Sequence, residues 1–401
     1  MTCRSEVDVA IIGGGPSGCA AAISLLKYGG LSAVVVESSD YSCSRVGETV
    51  SPSIAALLAY LGVGDAFRQD GHLPAFATAS AWGAAELGIN TLFFTPEGQG
   101  WHLDRARFDR RLARAVAEVG GVVITNARAS WSISDKEHWL LKVSRLCEPP
   151  VEFVARYVID ATGCKAAVAR SCGAQRRIDD HLLAVATICK CSDVRDSECL
   201  LVESARDGWW YTAKLPSERM VLCFMTDSSV LRSSDVRDAG GLFRLAKQTV
   251  HIAKRLTHFS PVSSLRVTPA YSSLLEPLGG KNWIAAGDAA VSFDPICSLG
   301  IGHAVYSGIF AARVVCADLV GSGNVLEQYS AGVGRTYGEY LKRRRRLYDA
   351  EPRWSEQPFW RRRRCAEPSD YPSPQSRQGG CSSIEPIPLQ STSVRWSGRT
   401  E

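Results

Sequence analysis

Three short glycine turns, each close to an acidic residue, are the parts of this sequence best suited to bind a phosphorylated ligand. In the first turn, Gly13, Gly15 and Gly18 follow an apolar run at 7–12 and precede a small-residue stretch typical of a helix. Such a turn offers backbone N–H groups to a phosphate, and an acid about twenty residues later can hold ribose hydroxyls. Glu37 occupies that position at the end of the next apolar run. The stretch therefore predicts a bound dinucleotide.

The two later turns repeat this arrangement of strand, glycine and acid. A strand-like run ends at Asp160 and is followed by Gly163, and another ends at Gly287 and Asp288. Pro295, Gly300 and Gly302 come next and lead into a long small-residue helix predicted for 304–320. Strands that alternate with helices in this way are typical of an α/β fold.

Composition places the chain among globular proteins of two or three domains. It has 401 residues, of which 45% are hydrophobic and 22% charged. No apolar run appears long enough and unbroken enough to span a bilayer, so we expect no transmembrane segment. The N-terminus lacks the shape of a signal peptide, and the 14 cysteines lack metal-ligand spacing. We therefore expect a cytoplasmic protein with reduced thiols and no metal.

Positive charge is concentrated near the C-terminus, although the net charge is only +5. Between 336 and 364 there are ten Lys or Arg residues against four acids, in the runs 342–346 and 361–364. Nucleic acid, an acidic protein surface or simple solubility can each explain such a patch, and among partners we expect no nucleic acid. Beyond it, 365–401 holds eight serines and five prolines, a composition that predicts a disordered tail.

The three turns together resemble the FAD-binding flavoproteins of the para-hydroxybenzoate hydroxylase fold. That resemblance implies a Rossmann-like FAD domain of the glutathione-reductase type, with an inserted antiparallel substrate sheet and C-terminal helices. It assigns 1–74, 101–175 and 266–335 to the FAD domain, 75–100 and 176–265 to the substrate domain, and 336–364 to a basic helical segment.

The same resemblance implies which residues contact the FAD. Asp288 would hold a ribose hydroxyl on the riboflavin side, Arg105 would approach the diphosphate, and Arg45 would lie near the flavin ring. A helix N-terminus beside the ring would stabilise the anionic reduced flavin. The implied contacts are Gly13, Gly15, Gly18, Glu37, Arg45, Arg105, Asp160, Gly163, Gly287, Asp288, Pro295, Gly300 and Gly302.

Six further stretches are similar to the tryptophan-halogenase-like branch. More narrowly, they resemble the flavoproteins that mature quinone-cofactor (tryptophylquinone) amine and amino-acid oxidases by oxygenating a tryptophan of a partner protein. The implied reaction is monooxygenation of an aromatic ring through a flavin C4a-hydroperoxide, with NADH or NADPH as transient reductant. The stretches are 45–48, 70–74, 81–83, 100–105, 207–212 and 351–360.

Halogenation itself is disfavoured by the sequence. The halogenases use a lysine near the substrate, but this chain has no lysine between Lys27 and Lys136. Their glutamate before the Ser-Thr-Gly turn is replaced by Cys297, and their GWxWxIP signature is broken at Tyr211.

Proton transfer is assigned to Glu48, His72 and His102, and contact with an aromatic substrate to a set of large aromatic residues. The histidines can equally be hydrogen-bonded structural residues, and Glu48 can equally fix a backbone turn. The aromatic residues can stack on an indole-sized ring or pack the core. They are Trp82, Trp209, Trp210 and Tyr211.

Three alternative functions stay open. The first is a flavin reductase of the geranylgeranyl-reductase kind, which a deep apolar pocket for a C=C substrate would favour. The second is a hydroxylase of a small aromatic molecule. The third is a flavin-bearing maturation factor that assists a partner without turnover.

Overall fold

The computed structural model describes residues 4–43, 45–91, 98–134, 138–191, 199–256 and 259–365. From residue 366 onward, the tail predicted to be disordered lies outside the described residues. The strands are β1 Arg4–Ile12, β2 Ala33–Val36, β3 Thr49–Val50, β4 Leu73–Ala75, β5 Ala77–Ala81, β6 Gly88–Thr91, β7 Gly100–His102, β8 Val122–Ile124, β9 Ala127–Ile133, β10 Trp139–Arg145, β11 Val151–Asp160, β12 Gln175–Ile178, β13 Leu182–Cys191, β14 Leu200–Ala205, β15 Gly208–Leu215, β16 Arg219–Asp227, β17 Phe259–Pro261, β18 Arg266–Pro269, β19 Ser273–Glu276, β20 Gly279–Gly280, β21 Trp283–Ala285 and β22 Val291–Ser292. The helices are α1 Pro16–Ser24, α2 Ile54–Leu61, α3 Gly64–Gln69, α4 Arg105–Glu118, α5 Ala167–Ser171, α6 Ser228–Ser233, α7 Ala239–Ala246, α8 His251–Arg255, α9 Gly300–Leu319, α10 Val325–Asp349 and α11 Pro358–Cys365.

A mainly parallel sheet forms the first layer, in the order β20-β21-β11-β1-β2-β8, with β10 antiparallel to β11 and β9 antiparallel to β10. Its central strands are continuously apolar because helices cover them, and all of β2 is buried. Helix α1 packs between this sheet and α9. The layer is the Rossmann-like FAD-binding fold that the glycine turns predict.

Strand register brings the three glycine turns together. Ile12 lies opposite Val36 on one side and Asp160 on the other, and Asp160 lies opposite Ala285. These strands are parallel, so the turns that follow them all leave from the carboxyl edge of the sheet. In open α/β sheets this edge is where ligands bind.

A second sheet follows the order β17-β13-β16-β15-β14-β5-β6, with β18 beside β13. It is antiparallel apart from the pair β14 and β5. Helices α7 and α8 pack on one of its faces through Leu242 and Ile252. The opposite face, which carries Trp209 and Tyr211, turns toward α10 and α11. This is the inserted sheet of the prediction, whereas the exact domain boundaries stay a prediction.

The basic C-terminal segment folds onto the second sheet and is partly internal. Arg344 of α10 is 4% exposed and pairs with Asp180, and Arg363 of α11 is 3% exposed and pairs with Asp227 at 2.6 Å. The expectation that the two runs face solvent or a partner is therefore wrong for these residues. Arg346, in contrast, is exposed.

Helix α9 is long and apolar enough to cross a membrane by length and composition, with a mean hydropathy of 1.3. In this fold it packs against α1, and Val305, Ala311 and Val314 are buried in the core. Among the described residues no two cysteines are joined by a disulfide. The cytoplasmic location stays a prediction.

Candidate active site

A cavity of about 1100 Å³ lies between the carboxyl edge of the parallel sheet and the second sheet. It brings together most of the residues that the sequence predicted, namely Gly13, Gly15, Glu37, Arg45, Glu48, Trp82, Arg105, Gly163, Trp209, Tyr211, Asp288, Pro295, Gly300 and Gly302. Six others do not line it: Gly18, His72, His102, Asp160, Trp210 and Gly287.

The first glycine turn is shaped for close approach of a ligand. Gly13 has φ +109°, and a Cβ there would lie 2.1 Å from the carbonyl oxygen of Ala161, so only glycine fits. At Gly15 a Cβ would meet nothing nearer than an Arg45 nitrogen at 3.9 Å, which leaves open space beside the N-terminus of α1. Gly18 lies behind the turn, where a Cβ would lie 1.9 Å from the carbonyl oxygen of Gly13. Gly15 thus borders the space for a phosphate, and Gly18 lets the helix pack.

Glu37 is a fixed, ionised acceptor at the end of β2. Its Oε2 accepts the Gly14 N–H at 2.7 Å, and its Oε1 accepts from the N–H and hydroxyl of Ser39. Burial by itself raises the pKa of Glu37, but hydrogen bonds from Ser39 and Gly14 lower it overall. With a single donor, Oε2 keeps a lone pair for a ribose hydroxyl.

The two arginines occupy positions that the sequence did not fully anticipate. Arg45 lies 3.1 Å from Glu37 and 3.5 Å from Asp109, beside Gly15. It is therefore at the Glu37 end of the cavity, and its expected place near the flavin ring stays a prediction. Arg105 donates to the carbonyl oxygens of Val46 and Gly47 at 3.1 and 2.9 Å, so it holds the loop before Glu48. Its contact with a diphosphate stays a prediction.

The acidic residues of the middle and late turns have different surroundings: the first is buried in the fold and the second faces the cavity. Asp160 is fully buried and accepts from Thr162 and from the Ala169 N–H at 2.8 Å, which fixes the turn and the start of α5. Direct contact of this carboxylate with a ligand is excluded because it does not reach the cavity. Gly287 packs on Ser17, whereas the neighbouring Asp288 faces the cavity.

The N-terminus of α9 forms another wall of the cavity. A 3₁₀ turn at Pro295–Cys297 leads into this 20-residue helix, which begins at Gly300. A Cβ at Gly300 or Gly302 would meet no atom within 4 Å, so the first turn of the helix borders open space. A helix N-terminus favours negative charge. We call the first glycine turn, with Gly13 and Gly15 bordering the cavity, the glycine cradle. Together with Glu37, Asp288 and this helix end, it fits an elongated dinucleotide such as FAD.

An aromatic wall, defined as Trp82, Trp209 and Tyr211, lines the part of the cavity formed by the second sheet. Trp209 lies 6.2 Å from both of the other rings. Trp210 is on the opposite face, 1% exposed and stacked on Phe224 at 4.4 Å. Its predicted substrate contact is wrong because successive residues of a strand point to opposite faces.

Glu48 lies beside the aromatic wall and carries a polar atom without a partner. Its side chain is 2% exposed, and its Oε2 accepts the Tyr211 hydroxyl at 3.1 Å. Its Oε1 is buried and has no hydrogen-bond partner among the residues that the structure describes. Burial raises the pKa of Glu48 from 4.5 to about 7, although Tyr211 and Arg105 oppose the shift. A carboxyl with this pKa can accept a proton near neutral pH.

Both predicted catalytic histidines lie away from the cavity. His72 accepts the Asp104 N–H through Nδ1 at 3.2 Å and packs on Phe67. His102 shares a hydrogen bond with Thr49, and burial lowers its pKa to about 4. The structural interpretation therefore replaces the catalytic one for these two residues.

Sequence reasoning missed His303 and Gly308, which follow Gly302 along α9. His303 lines the cavity with a buried Nε2 that finds no hydrogen-bond partner within the described part of the chain, and burial lowers its pKa to about 4. Gly308 lets α9 touch α1, since a Cβ there would lie 2.1 Å from the Ser17 carbonyl oxygen. The run of small residues in the helix could have predicted the close packing at Gly308. No sequence pattern indicated that His303 lines the cavity.

The fold and the cradle define a flavoprotein. The family model of the FAD binding domain matches residues 6–333, and the chain belongs to this family. It is a flavin-dependent oxidoreductase.

Relatives and solved structures agree with this assignment. The chain is 32% identical over 362 residues to the putative FAD-dependent oxidoreductase LodB of Marinomonas mediterranea, covering 89% of this chain and 96% of the relative. The myxobacterial chondrochloren halogenase CndH has a similar fold, with a TM-score of 0.81 and 20% identity over 90% of this chain and 86% of the other. The peptidyl tryptophan dihydroxylase QhpG, essential for tryptophylquinone cofactor biogenesis, gives a TM-score of 0.67 at 22% identity, covering 94% and 82%.

Proposed function

We propose that this chain is an FAD-dependent monooxygenase that hydroxylates an aromatic ring, and that the ring is a tryptophan of a partner polypeptide during maturation of a quinone cofactor. One observation carries the proposal: the aromatic wall and Glu48 face the same cavity as the glycine cradle. The similarity to a peptidyl tryptophan dihydroxylase over 94% of the chain supports the choice of substrate.

Bound FAD would supply the oxygen chemistry, with NADH or NADPH as its transient reductant. Gly13, Gly15, Glu37 and Asp288 are the residues that would hold it. The protein's own part is to orient the ring and exclude water.

The aromatic wall suits an indole in size and character. Trp82 and Trp209 both line the cavity and are 3% and 2% exposed, so each offers a small part of its ring to a substrate while the rest packs in the protein. The Oε1 of Glu48, which has no hydrogen-bond partner in the described ranges, lies next to this wall and would accept the ring N–H or the proton released during hydroxylation.

Halogenation is the second candidate, because a halogenase is among the similar structures. Halogenation calls for a lysine near the substrate, and the cavity has no lysine beside the aromatic wall among the described residues. Among the described residues that line the cavity, the single lysine is Lys165, in the 3₁₀ turn that follows β11 in the first sheet. The aromatic wall belongs to the second sheet, so the structure favours hydroxylation.

The test is an oxygenation assay read by mass spectrometry. The FAD-loaded protein receives NADH or NADPH, oxygen and synthetic peptides that each contain one tryptophan. Matched peptides with phenylalanine in place of tryptophan, free tryptophan, and reactions with added bromide are the controls. We expect oxygen atoms on the peptide tryptophan and none on the phenylalanine peptides. Bromide incorporation, or reduction of a C=C substrate without oxygen, would contradict the proposal.

A further inference from the structure

A buried chain of hydrogen bonds connects the aromatic wall to the turn in front of α9. The indole N–H of Trp209 donates to the Tyr348 hydroxyl at 3.1 Å. The Tyr348 hydroxyl in turn donates to Oδ2 of Asp294 at 2.7 Å. All three side chains are buried. The second sheet and the turn in front of α9 are therefore linked through one hydroxyl group of α10.

Asp294 fixes the conformation of that turn. Its Oδ1 accepts the Ile296 N–H at 3.0 Å, and its own N–H donates to the Tyr340 hydroxyl at 2.7 Å. The turn continues into Gly300, which lines the cavity. A change in the position of Asp294 would consequently move the N-terminus of α9.

Tyr348 itself is held tightly by its surroundings. The guanidinium of Arg363 lies 5.5 Å from its ring centre, and the rings of Trp82 and Trp360 pack on it at 5.9 and 5.7 Å. Arg363 is anchored by Asp227 at the end of β16. Tyr348 is thus a rigid element between the two walls of the cavity.

We propose that Tyr348 is a positioning residue that fixes the aromatic wall relative to the turn in front of α9. A tyrosine hydroxyl can donate and accept at once, which phenylalanine cannot do. Both partners are buried, so loss of the hydroxyl leaves each of them unsatisfied and free to shift. The inference rests on the proposed function only in taking the aromatic wall as the place where the substrate ring binds.

Tyr348→Phe tests the proposal, with Tyr337→Phe as the matched control. Tyr337 is also a buried tyrosine of α10, and its hydroxyl donates to Asp179 instead. Three quantities are measured: the reduction potential of bound FAD without substrate, the affinity for a tryptophan peptide, and the fraction of NAD(P)H that yields product. We expect Tyr348→Phe to shift the potential, weaken peptide binding about tenfold and lower the product fraction, with FAD affinity unchanged. Tyr337→Phe should change none of these.

A second variant keeps the test decisive if Tyr348→Phe fails to fold. In Asp294→Asn the amide oxygen can still accept the Ile296 N–H, but the amide nitrogen can only donate, so the Tyr348 hydroxyl loses the carboxylate that accepts its proton and this hydrogen bond is broken or reversed. We expect this variant also to shift the potential. If neither variant differs from Tyr337→Phe, the proposal is wrong.

Failure of the proposed function would be seen separately. If the wild-type protein oxygenates no aromatic ring, peptide binding and the product fraction no longer test the role of Tyr348. The reduction potential of bound FAD is then the one measurement that tests it. A shift in Tyr348→Phe then supports the positioning role, and an unchanged potential overturns it.

Discussion

Glu48 and Tyr211 form a buried pair in which the tyrosine hydroxyl lies 3.1 Å from one carboxylate oxygen of Glu48, while no described residue hydrogen-bonds to the other oxygen. The pair joins the loop held by Arg105 to the second sheet. Its carboxyl is protonated in part near neutral pH because burial raises its pKa to about 7. Both catalysis and stability should therefore depend on pH through this one group.

The first prediction concerns activity in Glu48→Gln. If Glu48 accepts the proton released from the substrate ring, the wild-type rate should rise as pH increases through about 7, where the carboxyl ionises. The glutamine variant should lose about 100-fold or more in product formation and should lose this rise. Rates of peptide oxygenation against pH give the answer. A variant that keeps both the rate and its pH profile would remove Glu48 from catalysis.

The same variant makes a separate prediction about stability. Folding raises the pKa of Glu48 from 4.5 to about 7, so the folded state binds more protons in this range. The contribution of this carboxyl to stability is then fully present below pH 4.5 and is lost as pH rises through about 7. The free energy of unfolding of the wild type should fall relative to Glu48→Gln over this window. Denaturant titrations of both proteins at the same pH values measure the difference, and Asp294, with a pKa of about 6, cancels in the comparison.

Trp209→Phe and Trp210→Phe form a matched pair for the aromatic wall. Both residues are buried neighbours on β15, but only Trp209 faces the cavity. We expect both variants to lose some stability, and only Trp209→Phe to bind a tryptophan peptide about threefold to tenfold more weakly, the effect of one aromatic contact of ~0.5–1.5 kcal/mol. Equal losses of affinity in the two variants would mean that the wall acts only through packing.

These neighbours also mark what the sequence could and could not predict. The glycine turns were predictable because Gly13 is required by its own backbone, with φ +109° and no room for a Cβ. The sequence could not predict to which face of the sheet Trp210 points, because the pattern Trp-Trp-Tyr does not reveal the register of β15. The ion pair of Arg45 was also not predictable, since it depends on Asp109 of α4, which only the fold brings close.

Gly308→Ala and Gly332→Ala should change stability in opposite directions. A Cβ at Gly308 would lie 2.1 Å from the Ser17 carbonyl oxygen, which is backbone and cannot easily move. We expect a loss of about 1–3 kcal/mol and weaker retention of FAD, because α9 would be pushed away from α1. At Gly332, inside α10, a Cβ meets nothing within 4 Å, so alanine should stabilise the helix by about 0.5–1 kcal/mol. Thermal unfolding with and without FAD measures both effects.

Arg344→Ala and Arg346→Ala separate the structural arginines from the surface ones in the same basic run. Arg344 is 4% exposed and donates to Asp180 and Ser272, so its removal leaves a buried carboxylate without its cation. Breaking such a pair costs about 3–5 kcal/mol, whereas a change at exposed Arg346 should stay within about 0.5 kcal/mol. Denaturant unfolding of the two variants tests this directly. If the two variants unfold at the same denaturant concentration, the arginines of this run are interchangeable and the internal role of Arg344 is wrong.

Asp180 lies 164 residues before Arg344 in the chain, so charge clustering alone could not identify this ion pair. A partner-binding role is better sought at the exposed Arg346.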